Sequence, residues 1–176
     1  MSLIINRKEF YIFMINIENT KIVLLDFDDT LCIHENHQGD EDDSIYNKNV
    51  LKIGIDTWSN CSPNIHLKRF MEECIKRNIK LGLISATMSY PHMKAKNDWV
   101  LDNYGIELEN YCVGTYEGKV KIMIAISDAF DIPREQILIV DDLYENLERA
   151  AKNGFMACTP MEIVNYIETK KIINNL

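Results

Sequence analysis

Short apolar runs alternate with amphipathic stretches along most of the chain after residue 20. The apolar runs predict strands at 21–27, 79–84, 111–113, 136–140 and 155–158. The stretches between them predict helices at 63–78, 88–104, 119–130, 143–153 and 161–172. Nearly continuous apolar strands separated by helices are typical of a parallel sheet that is covered on both faces. The pattern therefore predicts an α/β protein, a three-layer α/β/α Rossmann-like sandwich with right-handed crossovers.

Two segments fall outside this alternation. Residues 1–20 are predicted to be an N-terminal extension, whose apolar part at 10–17 is an extra strand or helix, or a leader before a start at Met14. That part is far shorter than a membrane span. Residues 32–62 contain an acidic run at 39–43 and are predicted to be a flap or minimal cap, with a disordered surface excursion as the alternative. Residues 1–176 are expected to form one domain with no full cap domain.

Composition restricts the class of protein further. The 176 residues are 47% hydrophobic and 26% charged, which is ordinary for a soluble globular domain. The net charge of −8 argues against a membrane surface and against nucleic acid as partners. Five scattered cysteines without a C-x-x-C pair argue against a disulfide framework and favour a reducing, cytoplasmic location.

The first strand ends in two carboxylates, Asp26 and Asp28, which are separated by one residue. Side chains two apart on an extended strand can face the same pocket. Buried, unpaired carboxylates are costly, and a bound divalent cation is the obvious compensation. A pair of turn-forming aspartates is the structural alternative. The position after a buried strand favours a catalytic metal site.

Polar residues also follow three later strands. Ser85 follows the strand at 79–84, where its hydroxyl could bind a ligand or cap a helix. Lys119 lies in line with the apolar stripe of its helix and is expected to face the sheet, whereas Lys121 does not. Asp141 and Asp142 follow the strand at 136–140, and the adjacent pair is hard to explain as a helix cap alone. Carboxyl ends of parallel strands lie at one edge of a sheet, so these residues are expected to converge.

These motifs resemble those of the haloacid dehalogenase superfamily. The segment 26–31 is similar to its DxDx(T/V) signature, and residues 141–146 are similar to the DDxxxN form found in small, capless magnesium-dependent phosphatases. The resemblance implies a phosphate monoester hydrolase in which Asp26 is the nucleophile and Asp28 the general acid and base. It implies Mg²⁺ as cofactor. The catalytic residues that it implies are Asp26, Asp28, Ser85 and Lys119. The substrate-binding residues that it implies are Ser85, Ala86 and Lys119. The metal ligands that it implies are Asp26, the main-chain carbonyl of Asp28, and Asp142.

Other functions remain open at this point. A dehalogenase needs no acid at Asp28 because halide leaves unprotonated, whereas an alkoxide needs a proton, so a phosphatase is favoured. The substrate could be a small molecule, such as a nucleotide or a sugar phosphate, or a macromolecule, such as a phosphoprotein or a nucleic-acid end. A non-catalytic regulatory module on the same fold is a further alternative. A metal site at His34 and His37 is weighed against a solvated loop, and the polar neighbours favour the loop.

Overall fold

A five-stranded parallel sheet forms the centre of the molecule. The computed structural model describes residues 17–34, 58, 61–87, 89–115 and 118–174. The strands of this sheet are β1 (Ile22–Leu25), β4 (Lys80–Leu83), β5 (Glu109–Asn110), β6 (Ile137–Val140) and β7 (Met156–Cys158). They lie in the order β5-β4-β1-β6-β7, so that β1 is central. The short strands β2 (Cys32–His34) and β3 (Cys61–Pro63) pair antiparallel in a separate ribbon.

Helices cover both faces of the sheet. They are α1 (Ile65–Lys76), α2 (Tyr90–Tyr104), α3 (Gly118–Phe130), α4 (Tyr144–Lys152) and α5 (Pro160–Asn174). Alternate side chains of β1 point to opposite faces, as expected for a strand. Val23 and Leu25 belong to a core shared with α1, α2 and α5, whereas Ile22 and Leu24 belong to a core shared with α3 and α4. The predicted α/β/α sandwich is therefore confirmed.

The register of the sheet aligns the ends of its central strands. Leu25, the last residue of β1, pairs with Leu83 of β4 on one side and with Val140 of β6 on the other. The main-chain N–H of Asp26 then donates to the carbonyl of Val140 at 2.9 Å. Residues that follow these three strands are consequently brought to the same level at the carboxyl edge of the sheet.

Helix boundaries follow ordinary capping chemistry. The side chain of Asn64 accepts hydrogen bonds from two main-chain N–H groups in the first turn of α1. The hydroxyl of Ser89 accepts one hydrogen bond, from the main-chain N–H of His92, at the start of α2. Helix α2 ends at Gly105, whose φ of 68° is the left-handed conformation that glycine adopts without a Cβ clash. The predicted end of that helix is confirmed.

Three sequence-based expectations are wrong in detail. The strand expected at 111–113 lies instead at Glu109–Asn110, and Val113 makes only an isolated bridge with Ala86. Helix α1 begins after Pro63 rather than with it. The apolar residues of an amphipathic helix are expected on its buried face, yet Ile65 and Ile75 of α1 and Phe130 of α3 are exposed.

The side chain of Tyr104 forms hydrogen bonds with the main chain just before β2 and just after β3. The hydroxyl of Tyr104 donates to the main-chain carbonyl of Leu31 at 2.6 Å and accepts from the main-chain N–H of Asn64 at 2.9 Å. The same N–H of Asn64 lies 3.1 Å from the Leu31 carbonyl. Leu31 and Asn64 are thus held together at one fixed point.

Parts of two sequence-based predictions lie outside the described residues. For the N-terminal extension at 1–20, only 17–20 are described, and for the flap at 32–62, only 32–34, 58, 61 and 62 are described. The residues of that segment that the structure describes contain no separate cap domain. None of the described helices is both long and apolar enough to cross a membrane.

Candidate active site at the carboxyl edge of the sheet

A buried lysine links the ends of β1 and β6. The Nζ atom of Lys119, near the start of α3, lies 2.9 Å from Oδ1 of Asp26 and 2.7 Å from Oδ2 of Asp141. All three residues are buried, and Lys119 is only 1% exposed. An ammonium between two carboxylates compensates part of the cost of burying each charge. The lysine therefore holds the two carboxylates at one site.

The charge states at this site follow from burial and from the neighbouring groups. Burial alone would lower the pKa of Lys119, but the charges of Asp26 and Asp141 outweigh it and raise that pKa, so Lys119 stays protonated. Burial raises the pKa of Asp26 to about 6, although Lys119 opposes the shift. The nearby carboxylates of Asp141 and Asp28 raise it further. Asp26 is thus ionised at neutral pH, but its charge is poorly compensated.

Asp141 is held in place by donors to both of its carboxylate oxygens. The side-chain amide of Asn146 donates to its Oδ1 and Oδ2 at 3.0 and 3.1 Å. The main-chain N–H of Leu143 also donates to Oδ1, at 3.0 Å. Since Lys119 occupies the other side of Oδ2, Asp141 is a positioning residue for the lysine. The sequence analysis located Asp141 next to the site but did not predict that it positions Lys119.

Asp26, Asp141 and Asp142 form a cluster that fits a divalent cation. One carboxylate oxygen of each lies within 4.8 Å of the others. Oδ1 of Asp26 is buried, and the Lys119 ammonium contacts it as an ion pair at 2.9 Å. Desolvation and the charges of Asp26 and Asp141 raise the pKa of Asp142 to about 7. Crowded carboxylate oxygens are the donor set that Mg²⁺ prefers.

A second buried lysine links the ends of β1 and β4. The Nζ atom of Lys96, on α2, donates to Oδ2 of Asp28 at 2.6 Å, to the hydroxyl of Ser85 at 2.8 Å and to the carbonyl of Ala86 at 3.1 Å. It also lies 5.0 Å from the centroid of the Phe27 ring, within the range of a cation–π contact. Lys96 is 1% exposed, whereas Asp28 is partly exposed. This ammonium is a second fixed cation at the same edge.

The sequence analysis missed Lys96, although a signal for it was present. The buried residues of α2 include His92, Ala95, Val100 and Tyr104, which recur at helical spacing. Lys96 falls on this stripe, one turn after His92 and one turn before Val100. A lysine at a buried position of a helix that packs on the sheet needs a charged partner, and the acids after β1 are the available ones.

His34 contacts the other oxygen of Asp28. Its Nε2 atom lies 3.4 Å from Oδ1 of Asp28, and its Nδ1 atom lies 3.2 Å from the sulfur of Cys61. The hydrogen bond to Asp28 raises the pKa of His34, although burial opposes the shift. His37, which the sequence analysis considered together with His34, lies outside the described residues.

Comparison with known proteins identifies the fold. No family model matches the sequence. No curated protein matches it either. Among solved structures, a HAD-family enzyme from Bacteroides thetaiotaomicron, in complex with magnesium and inorganic phosphate, matches with 16% identity and a TM-score of 0.52 over 80% of this chain and 93% of that one. A haloacid dehalogenase-like hydrolase from Xanthomonas campestris matches with 13% identity and a TM-score of 0.54 over 79% and 80%. The chain has the haloacid dehalogenase fold.

A further structure with this fold shows the same likeness over part of its length. It is the N-terminal part of a Bacteroides fragilis protein that contains a phosphatase domain and is complexed with magnesium. The identity is 13% and the TM-score 0.58, over 85% of this chain and 39% of that one. At these identities the likeness is one of fold.

On the haloacid dehalogenase fold of this chain, the residues predicted from the sequence lie at one edge in two groups. Asp26, Lys119 and Asp142 form the first group around Asp141, as the ion pairs and the carboxylate cluster show. The second group is held by Lys96 and consists of Asp28, Ser85 and Ala86. Lys121 is exposed on α3 and is not part of either group.

Proposed function

We propose that the protein is a Mg²⁺-dependent phosphatase that hydrolyses a phosphate monoester through an aspartyl-phosphate on Asp26. The observation that supports this most strongly is the environment of Asp26. Its carboxylate is buried, pairs with the protonated Lys119 at 2.9 Å and lies in a cluster with Asp141 and Asp142. A carboxylate held in this way can act as a nucleophile toward phosphorus.

The metal would be held by oxygen ligands alone. Asp26, Asp142 and the main-chain carbonyl of Asp28 are the residues that would bind Mg²⁺, with water completing the shell. When bound, the ion neutralises the charge that the nucleophile and the phosphate share. The magnesium present in the structures from both Bacteroides species supports this assignment.

The reaction consists of two displacements at phosphorus. In the first, an oxygen of Asp26 attacks phosphorus, so that a bond from Asp26 to phosphorus forms and the bond to the leaving alkoxide breaks. In the second, water attacks the aspartyl-phosphate, which releases inorganic phosphate and restores the carboxylate of Asp26. Lys119 stays charged throughout, since two carboxylates flank it, and stabilises the negative charge on the transferred group.

Asp28 carries the proton in both displacements. In its protonated state it gives its proton to the leaving alkoxide in the first, and the resulting carboxylate takes a proton from the attacking water in the second, which restores the protonated state. Lys96 contacts its carboxylate and the Ser85 hydroxyl together, so the proton carrier and a phosphate-binding hydroxyl are positioned by one cation. Lys96 and Lys119 thus supply two fixed positive charges at the site.

The charge of the chain supports one class of substrate over another. A net charge of −8 disfavours a polynucleotide, whose backbone would be repelled. A phosphorylated small molecule carries little charge beyond the group that the metal and lysines neutralise. A small phosphorylated metabolite is therefore the proposed substrate.

The test compares purified protein with the Asp26→Asn variant on a chromogenic aryl phosphate, with and without Mg²⁺. Turnover should require Mg²⁺ and should fall by about 10⁴-fold or more in the variant, as for the loss of other enzyme nucleophiles. Acid-quenched wild-type protein should carry a phosphoryl group that hydroxylamine removes, as expected for an acyl phosphate. Asp98→Asn is the matched control, because Asp98 is an exposed carboxylate paired with Lys94 on α2. Unchanged turnover in Asp26→Asn would remove the nucleophile from the proposal, and an inactive wild-type protein would favour the regulatory module.

A further inference from the structure

Two cysteines and a histidine converge on the ribbon next to the active site. Cys32 and His34 are two apart on β2 and so share a face, and His34 pairs across the ribbon with Cys61 of β3. One ligand atom of each of the three residues lies within 4.8 Å of the others. The sulfur of Cys61 is 3.2 Å from Nδ1 of His34. None of the five cysteines, all of which lie in the described part of the chain, takes part in a disulfide.

The second ring nitrogen of His34 supports a metal-binding role for the first. Nε2 of His34 lies 3.4 Å from Oδ1 of Asp28, so a neutral imidazole that carries its proton on Nε2 donates to that carboxylate. Its Nδ1 then presents a lone pair toward the sulfur of Cys61. Histidine ligands in metal sites commonly donate their other N–H to a carboxylate, which fixes the tautomer and the ring orientation. His34 shows this arrangement.

We propose that Cys32, His34 and Cys61 bind a zinc-like transition metal ion, with water as the fourth ligand. Two thiolates and an imidazole are the donors that Zn²⁺ selects, whereas Mg²⁺ selects oxygen. Tetrahedral Zn²⁺ holds sulfur and nitrogen ligands roughly 3.5 to 3.8 Å apart, by the usual bond lengths. The sulfur of Cys61 and Nδ1 of His34 are 3.2 Å apart, and all three ligand atoms lie within 4.8 Å of one another. Binding releases one proton from each thiol to solvent, and the ion keeps both sulfurs deprotonated.

This site is distinct from the magnesium site and goes beyond the proposed phosphatase activity. The ion would fasten β2 to β3 at the two ends of the segment that they border. It would also hold His34 against Asp28, and so orient the proton carrier of the proposed reaction. The proposed zinc-like site and the proposed magnesium site would then both border Asp28.

The experiment titrates metal-free, full-length protein with Co²⁺ in the presence of saturating Mg²⁺, which fills the carboxylate site. One equivalent of Co²⁺ should produce intense visible bands of tetrahedral cobalt and a near-ultraviolet sulfur-to-cobalt charge-transfer band, and Zn²⁺ should remove both. The charge-transfer band should weaken in Cys61→Ser, and the tetrahedral spectrum should be lost or shifted in His34→Gln. Cys112→Ser is the matched control, since Cys112 is also half-buried but lies outside the cluster, and it should keep the wild-type spectrum.

Several results would overturn the proposal without involving activity. A wild-type protein that shows only the weak spectrum of octahedral cobalt has no thiolate site, and this result does not depend on whether a variant folds. A disulfide between Cys32 and Cys61, found by peptide mapping of the protein as isolated, would show that the thiols pair with each other. Asp26→Asn should bind Co²⁺ at the ribbon normally, so failure of the phosphatase proposal and failure of this one are separable.

Discussion

The Nζ atom of Lys96 lies 2.6 Å from Oδ2 of Asp28, in a position where Lys96 is almost completely buried. The same ammonium donates to Ser85, which follows the neighbouring strand. The Lys96 ammonium therefore connects Asp28, which follows β1, with Ser85, which follows β4. This relationship leads to the first prediction.

Replacing Lys96 by methionine should lower kcat/KM for an aryl phosphate by about 10²-fold to 10³-fold, the usual cost of removing one fixed donor from a charge-stabilising site. The fold should remain, because Asp28 is partly exposed and can be hydrated. Lys94→Met is the control, since Lys94 is exposed on the same helix. Equal kinetics in the two variants would show that Lys96 is only a packing residue.

Replacing Lys119 by methionine should destabilise the metal-free protein by about 3–5 kcal/mol, because two buried carboxylates lose their shared counter-charge. Urea denaturation would measure the free energy of unfolding. Lys121→Met, two residues away and exposed, should change it by no more than about 0.5 kcal/mol. A large effect in Lys121→Met, or none in Lys119→Met, would contradict the assignment of Lys119 to the site.

The stability of the metal-free protein should rise as the pH falls from about 8 to about 5.5. The folded-state pKa values of Asp26, about 6, and of Asp142, about 7, lie above the unfolded value of about 4. The folded protein therefore binds more protons than the unfolded chain in this window, and the free energy of unfolding decreases with increasing pH. Urea denaturation in the presence of a chelator would measure the slope, and Asp142→Asn should reduce it. A slope of the opposite sign would show that the carboxylates are already compensated.

Mg²⁺ should stabilise the wild-type protein by about 2.7 kcal/mol at a concentration 100-fold above its Kd, as expected for a ligand that binds only the folded state. Asp142→Asn should have opposite effects in the two conditions. It should raise the free energy of unfolding without Mg²⁺, because a repelling charge is gone, and should remove most of the gain with Mg²⁺. Thermal denaturation with matched Ca²⁺-free buffers would record both. Full Mg²⁺ stabilisation in Asp142→Asn would exclude Asp142 as a ligand.

The central strands could be predicted because burial on both faces leaves a plain apolar run. All four residues of β1 and of β6 are buried, and both runs were located to within a few residues. The edge strand β5 could not be located, since Glu109 and Asn110 are exposed and polar, and only pairing with β4 makes them a strand. A run of apolar residues predicts a strand only where both faces of that strand are covered.

The candidate site was predictable as far as it follows strand ends. Asp26, Ser85 and Asp142 were identified because each follows an apolar run, and the register of the sheet brings their strands together. Lys96 was missed because a charged residue on a helix is ordinarily solvated, and its burial depends on acids that are distant in the sequence. The pairing of Cys32 and His34 with Cys61 depends on the return of the chain through β3, which no local pattern encodes.

The hydrogen bonds of Tyr104 also have an evolutionary consequence. Because its hydroxyl secures the carbonyl of Leu31 and the N–H of Asn64, these two points are held together by a residue outside the intervening segment. Doubling the length of a flexible connection costs only about 0.6 kcal/mol. Insertions within 35–57 would therefore leave this contact in place, so this is where the chain can acquire new substrate preferences while keeping its chemistry.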